Sequence, residues 1–75
     1  MDLIDITDRI VDELNERIWR GEFRSMREIH IALREAADAY GKDSQLGDWM
    51  NWMMYELQSS YSLYCEKEEI DMNWY

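Results

Sequence analysis

Residues 25–40 read SMREIHIALREAADAY and carry a clear helix signal. Ser25 and Glu28 match the S-x-x-E capping box, in which each side chain satisfies a free backbone N–H at the start of a helix. After this box, apolar residues recur at spacings of three and four. They are Met26, Ile29, Ala32, Leu33, Ala36, Ala37 and Tyr40. The stretch therefore predicts an amphipathic helix over residues 26–40, whose alanines let a neighbouring helix approach closely.

The residues before this stretch predict another helix, over residues 4–20, with Asp2 or Asp5 as its cap and Gly21 just after its end. Its apolar residues fall within an arc of roughly 120° on a helical wheel. They are Leu3, Ile4, Ile10, Val11, Leu14 and Ile18. A separate set, which we call the acidic stripe, consists of Asp5, Asp8, Asp12 and Glu16. This helix is therefore predicted to be amphipathic, with one acidic edge.

The residues after Gly41 predict a third helix, over residues 44–66, starting at Asp43 or Ser44. Its main apolar stripe contains Leu46, Trp49, Met50, Met53, Leu57, Tyr61 and Tyr64. A second apolar set lies off that stripe, and we call it the outer group: Trp52, Tyr55 and Leu63. The apolar arc is thus wider than one helical neighbour covers. Either the helix is central, or part of it meets another chain.

The last residues, 67–75, form a predicted tail in which apolar and polar residues alternate over 70–75. We expect the tail to dock in an extended form on its own domain or on a partner, and a frayed terminus is the alternative. The absence of proline and the three amphipathic segments predict the whole fold. It is all-α, a compact three-helix bundle with an extended C-terminal tail, in one domain over residues 1–75.

The sequence contains no motif that predicts a catalytic, cofactor-binding or metal-ligating site. We therefore expect that the protein is not an enzyme. The one histidine, His30, and the one cysteine, Cys65, lie far apart in sequence and fit no metal-ligand spacing. His30 is expected to be a half-buried packing residue. One cysteine excludes an internal disulfide and suits a reducing compartment. With an acidic start and no apolar run of membrane-spanning length, the sequence predicts a cytoplasmic protein without a membrane partner.

The charge is strongly negative, with 17 acidic residues against 8 basic ones and a net charge of −9. Such a charge disfavours direct binding to nucleic acid and favours a protein partner with a basic surface. The exception is a basic island between residues 17 and 34. It contains Arg17, Arg20, Arg24, Arg27 and Arg34. These arginines either bridge to acids on neighbouring helices or form a contact surface for a partner rich in carboxylates or phosphates.

The aromatic residues favour a binding role, because Trp and Tyr are enriched at interface hot spots. An equally supported alternative is that these large side chains are buried and supply the apolar area of a small core. We expect a non-catalytic protein-binding module, specifically a phage-type inhibitor of a host nucleic-acid-handling or defence protein. It would act either by DNA mimicry through the acidic stripe or by steric blocking, and a solvated helix face is the other interpretation of the stripe. The alternatives are a homo-oligomeric structural or assembly protein, such as a homodimer, and an antitoxin-like or transcription-related adaptor. The candidate binding residues are Asp5, Asp8, Asp12, Glu16, Trp52, Tyr55, Leu63, Trp74 and Tyr75.

Overall fold

Three α-helices and one short 3-10 helix make up the described part of the chain, residues 2–39 and 45–75 of a computed structural model. The α-helices are α1 (Leu3–Trp19), α2 (Met26–Asp38) and α3 (Met50–Lys67), and a 3-10 helix (Gln45–Trp49) leads into α3. No strand occurs within these two ranges. The predicted all-α three-helix fold is confirmed. The expectations for residues 40–44, including the Gly41 cap, and for the side chain of Leu46 lie outside the described residues.

The end of α1 is a Schellman motif, which satisfies carbonyl groups that a helix terminus leaves free. The Gly21 N–H donates to the Ile18 carbonyl at 3.0 Å, and the Glu22 N–H donates to the Arg17 carbonyl at 3.1 Å. Gly21 has a φ of 76°, a left-handed value that glycine adopts at little cost. A Cβ atom at this position would lie 2.7 Å from the Tyr64 hydroxyl oxygen. Glycine therefore both ends α1 and lets α3 approach its backbone.

The start of α2 has backbone partners from two parts of the chain. Ser25 is the N-cap residue, and its hydroxyl accepts a hydrogen bond from the Glu28 N–H at 3.3 Å. The Met26 N–H donates to the Asn73 carbonyl at 2.8 Å, and the Arg27 N–H donates to the Trp74 carbonyl at 3.2 Å. The tail thus docks on its own chain and satisfies two amide groups that the helix itself leaves unpaired.

The start of α3 differs from the prediction. Residues Gln45–Trp49 form a 3-10 helix, and the α-helix begins only at Met50. Gly47 and Asp48 are poor α-helix formers, which favours the tighter 3-10 turn in this position. The other end is again a Schellman motif, with the Ile70 N–H bound to the Cys65 carbonyl at 2.8 Å. Its left-handed residue is Glu69, at a φ of 56°.

One hydrophobic core is shared by the three helices, with one face of each turned inward. Its buried residues are Ile10, Val11, Leu14, Ile18, Phe23, Met26, Ile29, Leu33, Met53, Leu57, Tyr61 and Cys65. Phe23 enters this core from the loop between α1 and α2. Ile4 was expected in the core arc, and it is 57% exposed. It shares the face of Val11 but lies at the end of the helix, where less of the chain covers it.

Thr7 faces the core, although it does not belong to the apolar arc predicted for α1. It is buried, and its hydroxyl donates to the Ile4 carbonyl at 2.9 Å, so its polar group is satisfied within α1.

Within residues 2–39 and 45–75, none of the helices is long and apolar enough to cross a bilayer.

Candidate protein-binding surfaces

The outer group lies on the side of α3 that faces away from the core. Trp52 is 41% exposed, Tyr55 69% and Leu63 58%. Met53 and Leu57, on the same helix, are fully buried. The core is therefore complete without the outer group. These three large side chains contribute little of the apolar area that is buried on folding.

A shallow groove of about 480 Å³ runs beside the outer group, and we call it the α3 groove. It is lined by Tyr55, Gln58, Ser59, Ser62, Leu63 and Met72. Trp52 stands at one end of the outer group, edge to face against Trp49 with the ring centroids 6.1 Å apart. Such a pair restricts the ring of Trp52 while leaving much of it exposed.

Trp74 and Tyr75 lie elsewhere, beside α2. They form one side of a second groove of about 450 Å³, which we call the α2 groove. Its apolar lining consists of Met26, Ile31, Met54, Trp74 and Tyr75, and its polar lining of Arg27 and His30. Trp52 and Tyr55 on α3 and Trp74 and Tyr75 beside α2 are thus divided between two surfaces.

His30 is exposed, so the expectation of a half-buried packing residue is wrong. On the α2 wheel it lies at the edge of the face that contains Met26, Ile29 and Leu33. That edge faces the α2 groove and not the core, because the tail stands at this side of the helix.

The tail holds its aromatic residues in place chiefly through its backbone. Besides the two hydrogen bonds to the start of α2, the Asn73 side-chain carbonyl accepts from the Tyr75 N–H at 3.1 Å. Met72 is half-buried and packs against the core. Trp74 remains 51% exposed and Tyr75 91% exposed. The two ring systems are therefore presented to solvent from an anchored segment.

The acidic stripe is exposed along its whole length, on the side of α1 opposite Leu14. From Asp5 to Glu16 it extends roughly 16 Å along the helix axis. The stripe is not purely negative. Arg9 is exposed on the same outward side, and the Arg20 guanidinium lies 3.1 Å from the Glu16 carboxylate. Among the described residues, Asp5, Asp8 and Asp12 have no ion pair within 4.0 Å, whereas Glu16 has one.

The basic island is divided by its contacts. Arg17 pairs with Glu22 at 3.2 Å, Arg20 pairs with Glu22 at 3.4 Å, and the Arg17 guanidinium lies 4.7 Å from the centre of the Phe23 ring. These pairs stay within α1 and the loop that follows it, so the expected bridges to neighbouring helices are wrong for these two arginines. For the other three island arginines, the described residues place no carboxylate within 4.0 Å. They are Arg24, Arg27 and Arg34.

Groups with catalytic or metal-binding potential are few in this structure. Among the described residues, no group of three or more His, Cys, Asp and Glu side chains is placed to hold a metal ion. Burial, together with a hydrogen bond to the Cys65 side chain, raises the pKa of Tyr61 to about 12. Tyr61 is therefore a neutral phenol at physiological pH, inside the core.

The surfaces thus differ in character. The acidic stripe is anionic, the α3 groove with the outer group is apolar and nearly uncharged, and the α2 groove is apolar with a basic edge. They lie on different helices, so each is able to contact a different part of a partner. The chain matches no protein-family model, no curated protein and no solved structure.

Proposed function

We propose that this chain is a non-catalytic protein-binding module. The observation that carries the proposal is the exposure of Trp52, Tyr55, Leu63 and Trp74 outside a core that is complete without them. Trp52, Tyr55 and Leu63 are exposed together on one side of α3, and Trp74 is exposed at the separate α2 groove; exposed apolar patches of this kind are typical of interaction surfaces. Trp and Tyr in particular supply binding energy with little loss of conformational freedom.

The partner that we favour is a host nucleic-acid-handling or defence protein with a basic groove, so that the module acts as a phage-type inhibitor. The net charge of −9 supports this choice, and so does the exposure of the acidic stripe. The carboxylates of the stripe recur roughly every 5.4 Å along the helix axis, whereas a single DNA strand carries one phosphate per roughly 3.4 Å, so the two spacings are of one order and do not match. Arg9 and Arg20 also lower the negative charge of the stripe, so the resemblance to DNA lies in the sign and alignment of the charge.

Affinity capture from a bacterial lysate tests this proposal, with the wild type compared to the double variant Asp8→Lys with Asp12→Lys. The matched control is Glu35→Lys with Asp38→Lys, which makes the same change in net charge at exposed positions of α2. We expect the wild type and the control to capture a basic nucleic-acid-binding protein, and the stripe variant to lose it. The captured protein should then bind DNA less well in the presence of the wild type.

Salt dependence separates electrostatic docking from aromatic docking. If the stripe meets a basic groove, association should be fast at about 50 mM salt and much slower at about 500 mM, because clustered charge steers the encounter. The double reversal should reduce the on-rate more than it raises the off-rate. An affinity that is indifferent to both salt and the double reversal would refute the electrostatic part and leave the acids as a solubilising face.

A second candidate function is self-assembly through the outer group. It is supported by the position of Trp52, Tyr55 and Leu63, which share one side of α3 and are all exposed. The charged residues on that side of the helix are Glu56 and Glu66. Sedimentation of the wild type and of Trp52→Ala distinguishes this candidate. A dimer that Trp52→Ala dissociates would support it, and a monomeric wild type whose capture of its partner survives Trp52→Ala would remove it. An antitoxin-like or transcription-related adaptor would instead be recognised by a captured toxin or transcription protein.

A further inference from the structure

The α2 groove has a local charge opposite to that of the molecule as a whole. Its polar lining residues are Arg27 and His30, and among the described residues no acidic side chain lines it. Arg34 lies seven residues after Arg27 and therefore on the same side of α2. In the described parts of the chain, no carboxylate lies within ion-pair distance of Arg27 or Arg34. Arg27 and Arg34 are thus two exposed cations on one side of α2, and the nearest acidic residue along that side, Asp38, lies one helical turn beyond Arg34.

The groove is formed by segments that are fixed by other contacts. Met26 is buried in the core and Met54 packs against it, so they supply an anchored apolar base. Trp74 stands opposite α2, and its carbonyl accepts the Arg27 N–H at 3.2 Å. Ile31 is 48% exposed, so the groove also offers apolar area that the fold leaves open. An apolar base with a basic edge is therefore present before any partner binds.

We propose that the α2 groove binds an acidic amphipathic peptide segment of a partner protein. One aromatic or aliphatic side chain of the segment enters beside Met26, Met54 and Trp74, in a space of about 450 Å³. Carboxylates that flank this anchor pair with the Arg27 and Arg34 guanidinium groups, whose planar donors suit carboxylates. This site is independent of the proposed function, because its partner has the charge opposite to the one that the acidic stripe favours.

Local charge selects an acidic over a basic segment, because a basic segment would be repelled by Arg27 and Arg34. A second copy of the chain also carries a net charge of −9, and long-range repulsion opposes it as it opposes any acidic partner. Sedimentation therefore decides on that occupant. An acidic segment with an apolar anchor side chain can pack on the apolar base of the groove and pair with the arginines at its edge.

Selection from a displayed library of random dodecapeptides tests the proposal with the full-length chain as bait. The wild type should enrich peptides in which aspartate or glutamate flanks an aromatic or aliphatic residue. A synthetic copy of an enriched peptide should bind roughly tenfold more weakly to Arg27→Gln with Arg34→Gln, and equally more weakly to Trp74→Ala. The Trp74 variant keeps its main-chain carbonyl, and circular dichroism of each variant verifies that the helices remain.

Two control variants localise the binding. Leu63→Ala alters the α3 groove, and Asp8→Lys with Asp12→Lys alters the acidic stripe, so both should bind the peptide as the wild type does. If only the stripe variant lost peptide binding, the peptide would be bound by the acidic stripe, and the proposal for the α2 groove would be overturned. Enrichment of basic or uncharged peptides, no enrichment at all, or equal weakening by Leu63→Ala would also overturn it. Sedimentation of the free chain completes the test, because a dimer that Trp74→Ala dissociates would assign the groove to a second copy.

Discussion

Two leucines on α3 allow one substitution to be compared on opposite sides of the same helix. Leu57 is fully buried, whereas Leu63 is 58% exposed in the outer group. Leu→Ala at position 57 removes three carbon groups from the core, a transfer loss of about 2.4 kcal/mol at about 0.8 kcal/mol each. The cavity left behind adds about 1 kcal/mol or more, for a total of about 3–4 kcal/mol.

At position 63 the same change removes side-chain area of which more than half is already in water. The transfer loss scales to about 1 kcal/mol, and the helix propensity of alanine returns a few tenths. With an unfolding entropy of about 2.1 cal/mol/K per residue, the 75 residues convert these losses to midpoint shifts of about 20 °C for Leu57→Ala and about 5 °C for Leu63→Ala.

Thermal and urea denaturation followed by far-UV circular dichroism measures both variants, and partner binding is measured on the same samples. We expect Leu57→Ala to lose stability and Leu63→Ala chiefly to lose binding. Equal destabilisation by the two variants would refute the division of α3 into a core side and an outer side. A midpoint for Leu63→Ala that returns toward the wild-type value with rising protein concentration would show that this residue stabilises an oligomer.

Three further outcomes follow from local features. Glu69→Gly should raise stability by about 0.5–1 kcal/mol, because Glu69 is held at a φ of 56°. Its control, Glu68→Gly, changes the same charge at a φ of −87° and should lower stability in the same thermal assay. Burial raises the pKa of Tyr61 to about 12 from an ordinary value of 10.0, so stability present below pH 10 should be lost as the pH rises through 12. Tyr61→Phe should abolish both this loss and the last step of tyrosinate absorbance, whereas Tyr55→Phe should leave both in place. Ser25→Ala should cost about 1 kcal/mol in urea denaturation and Ser25→Gly only a few tenths, and equal losses would contradict the capping role of the hydroxyl.

The sequence predicts most of the helical structure because the signals for it are local. The Ser25 cap, the left-handed Gly21 and the spacing of three and four residues each act within a turn or two of helix. The start of α3 is the exception. Gly47 and Asp48 weaken the α-helix locally, and residues 45–49 also contact α1, which the apolar pattern of one helix does not take into account.

The binding surfaces are predicted less well, because they depend on which segments meet. The wheel identifies the acidic stripe and the outer group as faces of single helices, and the structure shows both exposed. It does not reveal that the tail reaches α2, where His30 is exposed and lines a groove with Trp74, away from Trp52 on the outer side of α3. The two N–H groups after Ser25 that α2 leaves unpaired need an acceptor, but the sequence of the helix does not tell whether water or another segment supplies it.

The attachment of the tail to α2 has a consequence for how this molecule can diversify. The acceptors are the main-chain carbonyls of Asn73 and Trp74, which every amino acid possesses. Substitution of the side chains at positions 74 and 75 therefore leaves the docking hydrogen bonds available, while the chemistry displayed at the groove changes. Stability and specificity are encoded in separate atoms of the same segment, so natural variation or a designed library can explore new partners without first repairing the fold.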